Sequence, residues 1–264
     1  MPKLATDKDK YAKFWTQFGR VLKEGPVEDY SNAETVAKLL RFASTTENAS
    51  AQTVSLADYV SRMPEGQKKI YYLVGTSYQS VKTSPYLELF KKKGIEVLLL
   101  WDRIDEWLMA HLREFEGKGF VSASASDLEL GDLADKSEKT EEEAKQSAGL
   151  IDRLKTALAG RVKDVRVSTR LVGTPSCVVA EGGQFLTPQM KHMLEAAGQT
   201  VPEDEYILEV DPENALLKRV AAETDPARFK EWAELIFEQA LLSEQGALKD
   251  PNAFVQRMNR LLAL

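Results

Sequence analysis

Two short apolar runs, Ile70-Tyr71-Tyr72-Leu73-Val74 and Val97-Leu98-Leu99-Leu100, decide the fold class of this chain. Each is β-rich and continuous in apolar character, as a strand buried on both faces should be. Between them lie helical stretches around Ser77 to Val81 and Pro85 to Lys93, closed by Gly94. Strand, helical crossover and strand make a βαβ pattern, in which the two strands run parallel. A helix over Ile104 to Leu112 follows. Upstream, Lys10 to Glu24 carries Tyr11, Phe14, Trp15, Phe18 and Leu22 at helical spacing, and Gly25-Pro26 predicts its end. A second helix is expected over Asn32 to Ala43, with Val36, Leu39, Leu40 and Ala43 on one face. Ser55 suits the N-cap of a third, running to Met63 before Pro64. Residues 1–120 thus read as helices followed by a small α/β/α layer subdomain with a short parallel sheet.

The composition then changes. Residues 121–149 open with Ser122-Ala123-Ser124-Ala125-Ser126, and Asp127 to Glu143 holds eight acids against Lys136 and Lys139. So charged and apolar-poor a stretch gains little from packing, and it reads as an acidic, Ser/Ala-rich connector. A solvated helix around Glu141 to Gln146 is the alternative. Beyond it, residues 150–264 read as an α+β domain. It has a helix over Leu150 to Ala159, strands in Val162 to Val172 (Val165, Val167, Leu171), at Cys177-Val178-Val179 and over Tyr206 to Val210, and a helix over Gln189 to Ala197. The end is a helical hairpin, Pro226 to Leu242 and the helix opened by Asp250-Pro251.

Composition narrows the function classes. The 264 residues carry a formal charge of −6, which disfavours nucleic-acid binding through a basic face. No apolar run approaches the ~20 residues that span a bilayer, and Met1 to Lys10 resembles neither signal nor anchor. One cysteine, Cys177, fits a reducing cytoplasm, and His111 and His192 are too few for a zinc site. No phosphate loop, GxGxxG or GxSxG string is present. Cys177 lies in an apolar run, where a lone cysteine is core rather than half of a thiol–imidazole pair with His192. Glu141-Glu142-Glu143 would fan outward on a helix instead of converging on a metal. Gly182-Gly183-Gln184 reads as a turn. No catalytic constellation emerges.

Two noncatalytic features remain. The hairpin is apolar on more than one face, including Trp232, Phe237, Phe254 and Met258, more than it can cover alone, which implies a partner. The alternative is that these helices pack on the preceding strands. Met190, Met193 and Leu194 fall on one helix face at i, i+3, i+4, with Leu186 a turn earlier. Methionine adapts its shape and suits promiscuous surfaces, although such a face also serves as core.

Several long strings carry a likeness. "LLRFAS" (Leu39 to Ser44), "TVSLADYVSRMPEGQKKIYYLVG" (Thr53 to Gly75), "KKGIEVLLLWDRIDEW" (Lys92 to Trp107) and "LREFEGK" (Leu112 to Lys118) closely resemble the middle domain of the ninety-kilodalton heat-shock chaperones, above all in their bacterial form. "VKDVRVSTRLVGTPSCVV" (Val162 to Val179) and "EQALLSEQGALKDPNAFVQRMNRLL" (Glu238 to Leu262) look like the C-terminal domain of that family. The likeness runs over nearly the whole chain in family order.

The resemblance implies a piece of a longer ATP-driven chaperone, with Met1 added at its start: residues 1–120 as the late middle domain, 150–264 as the C-terminal dimerisation domain. Nothing matches the family's ATP-binding domain or its catalytic-loop arginine. ATP and magnesium are therefore expected only in the full-length protein, with no cofactor and no ATPase activity here. The resemblance assigns a homodimer interface to Trp232, Ile236, Phe237, Ala240, Phe254, Met258, Leu261 and Leu262, closing as a four-helix arrangement. It assigns contact with non-native client proteins to Glu106, Trp107, Leu186, Met190, Met193 and Leu194. Leu186 stands where the bacterial pattern tends to have methionine, and Leu194 where it tends to have an aromatic. Co-chaperones are a further partner class, except those recruited by the eukaryotic acidic tail peptide, which is missing after Leu264. Nucleic acid and membrane are not expected as partners, and the location is cytoplasmic. The competing readings are a small-molecule-binding α/β enzyme domain, with its ligand near Gly75-Thr76-Ser77 and Trp101-Asp102, and a passive structural dimerisation module.

Overall fold

A computed structural model describes residues 7–47, 49–128, 130, 138–180, 186, 188–201 and 204–263. The chain divides into two compact units. The first comprises Met1–Thr83, Phe90–Ala123 and Leu128–Leu133; the second takes Ser84–Leu89, Ser124–Asp127 and Ala134–Leu264. Among the described residues no helix is long and apolar enough to cross a membrane.

In the first unit, α1 (Lys8–Glu28) starts at Asp7, whose side chain accepts from the Lys10 amide. It runs past the stop expected at Gly25-Pro26, because Pro26 falls in the last turn, where a single backbone bond is lost and the ring is buried. The helix expected over Asn32 to Ala43 is shorter: a 3-10 turn (Tyr30–Asn32), α2 (Ala33–Ala37), then an extended segment ending in β1 (Ala43–Ser44). Its apolar face is real, since Leu40 and Ala43 are buried. The pairing of Ala43 with Leu99 turns the second half into sheet edge. α3 (Leu56–Arg62) follows a capping box made by Ser55 and Asp58. Then come β2 (Lys69–Val74), α4 (Tyr78–Lys82), α5 (Glu88–Lys93), β3 (Leu98–Leu100), α6 (Asp105–His111), β4 (Glu114–Phe115) and β5 (Lys118–Ser122).

The strand order is β1-β3-β2-β5-β4. β2 and β3 are parallel as the sequence predicts, with Leu73 opposite Leu99. The sheet is nevertheless mixed, not purely parallel: β5 adds a third parallel strand beside β2, and both edges are antiparallel. β5 was invisible because Lys118-Gly119-Phe120-Val121-Ser122 has no apolar run; it spans the point where the composition changes and holds its place through backbone pairing. Ile70, Tyr72, Leu98 and Leu100 pack with Tyr11, Leu56 and Leu108 as the core.

The second unit contains α7 (Glu138–Ala157), β6 (Asp164–Val167), β7 (Ser176–Ala180), α8 (Pro188–Ala196), β8 (Tyr206–Val210), α9 (Ala215–Ala221), α10 (Pro226–Gln245) and α11 (Pro251–Leu262). Its sheet runs β6-β8-β7, with β6 parallel and β7 antiparallel to β8. α7 is the helical alternative for the acidic stretch, merged with the helix expected over Leu150 to Ala159; residues 131–137 lie outside the described residues. The strand expected over Val162 to Val172 ends at Val167, because Arg170 turns inward and its Nε donates to Glu209 Oε2 at 2.9 Å. In β8, Ile207 to Val210 are all buried, so both faces of the strand are covered. α9 was not read from the sequence. Asp225 and Asp250 cap α10 and α11, and Gly246, with φ 72°, ends α10.

The early segment Ser84–Leu89 is built into this unit. The Tyr86 hydroxyl donates to the Val178 carbonyl on β7. Glu88 Oε2 accepts the amides of Val172 at 2.6 Å and Gly173 at 2.9 Å, and its carboxylate also takes the Thr174 hydroxyl. Burial works against the charge of Glu88, but these donors hold its carboxyl below the usual carboxylate range.

Candidate functional site

The candidate residues fall in three places. In the first unit they sit on α6. The chain enters this helix through a reciprocal bracket: the Asp102 amide donates to Asp105 Oδ2 at 2.8 Å and the Asp105 amide to the Asp102 carbonyl at 2.9 Å. Glu106 is buried, and its charge adds to the burial that pushes the Tyr72 phenol up to about 12. Trp107 is half-exposed; its ring stacks on His111, centroids 5.9 Å apart and 13° from parallel. His111 Nδ1 lies 2.9 Å from the Trp107 carbonyl, which fixes the stack. One helix thus turns the acid inward and the indole toward water.

In the second unit, α8 carries the methionine face. Met190 is buried at 8% exposure, Met193 stands out at 46%, and Leu186 and Leu194 are half-buried. The face is therefore divided: Met190 anchors the helix and Met193 remains accessible. Lys191 pairs with Asp204, which accepts from the Tyr206 hydroxyl at 2.9 Å, and Gln245 Nε2 donates to that hydroxyl at 2.7 Å. This chain of bonds ties α8 to β8 and to the end of α10. Sequence reading missed it, because nothing in the spacing of Lys191, Asp204 and Gln245 marks them as neighbours.

The third place is the hairpin. Trp232, Ile236, Phe237 and Ala240 on α10 are buried in the unit's own core with Leu158, Val178 and Leu208. Much of the surface that the hairpin alone could not cover is thus covered by its own sheet and α7, as the competing packing reading held. α11 differs. Leu261 is buried, Phe254 and Met258 are half-buried against the core, and Val255 and Leu262 are 45% and 64% exposed. Val255 was not among the expected interface residues, although its place three residues before Met258 and seven before Leu262 signals the same face.

Cys177 is buried, and burial followed by the charge of Glu209, whose Oε2 lies 3.8 Å from its sulfur, pushes the thiol up, away from a thiolate nucleophile. Gly182-Gly183-Gln184 and the side chain of His192 lie outside the described residues. At the strand ends proposed for a metabolite, Asp102 is occupied by Lys23, Arg20 and Gln52, and a methyl on Gly75 would meet Val81 at 2.6 Å, so the backbone there is already closed over. An open groove of about 730 Å³ in the second unit, between α7 and the start of α10, exposes Thr156 and Lys230. Its arginine, Arg153, lies 3.8 Å over the Phe229 ring and donates to the carbonyls of Ala221 and Glu223. These groups brace the fold instead of forming an acid–base pair.

With apolar side chains left at helix surfaces among the described residues, the relationship of the whole sequence becomes decisive. All of it, residues 1–264, matches the family model described as Hsp90 protein. The chain belongs to the Hsp90 family. This Hsp90 chain is 55% identical over 264 residues to the chaperone protein HtpG of Yersinia pestis, an alignment covering 99% of this chain and 42% of that protein. It is 56% identical over 265 residues to the chaperone protein HtpG of Pectobacterium atrosepticum, covering 100% and 42%, and 54% identical over 264 residues to that of Serratia proteamaculans, covering 100% and 42%. The Hsp90 chain thus spans about two-fifths of the length of the curated relatives it matches.

Proposed function

We propose that this chain is the client-holding and pairing part of an ATP-dependent chaperone, binding exposed apolar segments of non-native proteins and joining a second copy through α11. The observation that carries the reading is the unpartnered apolar surface on amphipathic helices: Met193 on α8, and Val255 with Leu262 on α11. Half-exposed Trp107 offers a further aromatic contact. Family membership favours this over a metabolite enzyme or a passive dimer module. Methionine and tryptophan at partly open sites give broad, weak affinity, so that clients leave as readily as they arrive. Of the residues assigned by resemblance, Glu106 and Met190 act as supports within their helices, while Trp107, Met193, Leu186 and Leu194 meet the client.

In the dimer, α11 brings Phe254, Val255, Met258 and Leu262 to its twin across a two-fold axis. Trp232, Ile236, Phe237, Ala240 and Leu261 form the floor against which it is held, and the two hairpins together make a four-helix arrangement. The nucleotide chemistry belongs to other parts of the longer protein.

Replacing Trp107 and Met193 together by serine tests the client surface. Affinity for reduced, carboxymethylated α-lactalbumin should fall while the sedimentation coefficient stays that of a dimer. Unchanged affinity would remove these residues from the client surface, and a monomer at micromolar concentration would remove the pairing role of α11.

A further inference from the structure

We infer that Lys23 is a positioning residue for α6: by bridging Asp102 and Asp105 inside the first unit, it sets the rotation of the helix that displays Trp107. The inference rests on the client-holding reading above and extends it to a residue of α1 that makes no client contact.

Lys23 is 1% exposed. Its Nζ lies 2.8 Å from Asp102 Oδ2 and 2.7 Å from Asp105 Oδ1, with the Phe42 ring centroid 5.2 Å away. Asp102 also takes Gln52 Nε2 at 2.9 Å and Arg20 Nε at 3.3 Å, and Gln52 in turn accepts Trp15 Nε1 at 2.9 Å. Two acids and two bases balance in charge, so the cluster is neutral as a whole. Its members differ: Asp102 is held below the ordinary carboxylate range, where Lys23 overcomes the opposing effect of burial, whereas burial raises Asp105.

Such a cluster is a poor means of merely holding helices together, because well-packed apolar groups of the same volume do as well or better. What it adds is direction. Asp105 is the first residue of α6, immediately before Glu106 and two before Trp107. Both carboxylates that Lys23 grips lie on the bracket through which the chain enters the helix. Each residue of an α-helix is turned by about 100° from the last. Releasing Asp105 from its buried seat therefore lets α6 turn, and the buried stance of Glu106 and the open stance of Trp107 change together. The sequence conceals this link, since Lys23 and Asp105 are remote along the chain and a lysine on a helix ordinarily faces water.

The test uses the whole chain labelled with 5-fluorotryptophan, with the Trp107 fluorine resonance assigned from Trp107→Phe. Lys23→Met is compared with the doubly changed Lys23→Met/Asp105→Asn, which removes one stranded charge and whose folding is checked by its urea midpoint. Tyr11→Phe, which loses a hydrogen bond from the same helix to the Leu39 carbonyl, serves as the control for simple destabilisation. The Trp107 resonance should move in both Lys23 variants and stay in place in the control. Affinity for reduced, carboxymethylated α-lactalbumin should fall about fivefold, the size expected when one useful interface side chain is misplaced. An unmoved resonance in the folded double variant overturns the inference. So does a moved resonance with undiminished affinity, when Trp107→Ala itself weakens binding. If Trp107→Ala leaves affinity unchanged, the client-holding reading fails, and the resonance alone then decides whether Lys23 orients α6.

Discussion

The two helices of the terminal hairpin look alike as sequences and behave differently as structure. α10 buries seven residues, among them Phe229, Trp232 and Phe237, whereas α11 buries Leu261 alone. α10 lies on β7 with α7 and α9 beside it, so its several apolar faces each meet a neighbour from its own unit. α11 leans on α10 through half-buried Phe254 and Met258, with Arg260 and Glu231 paired at 2.7 Å and Arg257 paired with Glu238. The lesson is that apolar richness marks the helix that is already satisfied, and the helix with a single apolar stripe has surface left to offer.

The sharpest way to break this contrast is Trp232→Ala. It should cost about 3–5 kcal/mol, as removal of a buried tryptophan does, and appear as a lowered urea midpoint at any protein concentration. Val255→Asp with Leu262→Asp should do the reverse. Dimer dissociation measured by ultracentrifugation should strengthen roughly 10–100-fold, or about 1.4–2.7 kcal/mol, while the unfolding midpoint of the monomer barely moves. If these two substitutions unfold the monomer instead, α11 belongs to the core as fully as α10. A smaller effect is expected at the start of α11: Asp250→Ala removes the bond to the Ala253 amide and should cost ~1 kcal/mol, loosening the dimer with it.

The last prediction concerns the far end of α10. Burial, opposed by a hydrogen bond shared with Tyr86 and reinforced by the charge of Asp204, pushes the Glu244 carboxyl up to about 7. A raised acid binds its proton more tightly in the folded state. Its contribution is therefore complete below the ordinary carboxylate range and is lost as pH rises through about 7. The urea midpoint of the second unit should be higher at pH 5.5 than at pH 8, and Glu244→Gln should narrow that difference. An equal difference in the variant would assign it to other groups.

Much of the architecture was legible. The parallel pair β2 and β3, the capped α3, strand β8 and the Asp250-Pro251 start of α11 follow from local chemistry that nothing later overrides. What escaped was settled by partners distant in sequence. β5 exists because β2 offers it a backbone edge, the second half of the expected second helix gives way to β1 because β3 offers another, and β6 ends early because Arg170 has a buried carboxylate to reach. The candidate site divides the same way. The family likeness names Glu106, Trp107 and the α8 face, yet which of them open to solvent depends on helix rotation, and periodicity alone could not separate Met190 from Met193.

The hold of Tyr86 on Val178 and of Glu88 on Val172, Gly173 and Thr174 has a practical consequence for anyone dissecting the molecule. The second unit is not one continuous ribbon. Excising it at a cut anywhere between Asp127 and α7 would leave behind Ser124–Asp127 and a six-residue plug, Ser84–Leu89, and bare the amides that Glu88 now caps. A graft meant to transplant the second unit onto another scaffold should therefore carry these segments along, or replace the plug with a carboxylate and a phenol in the same seats.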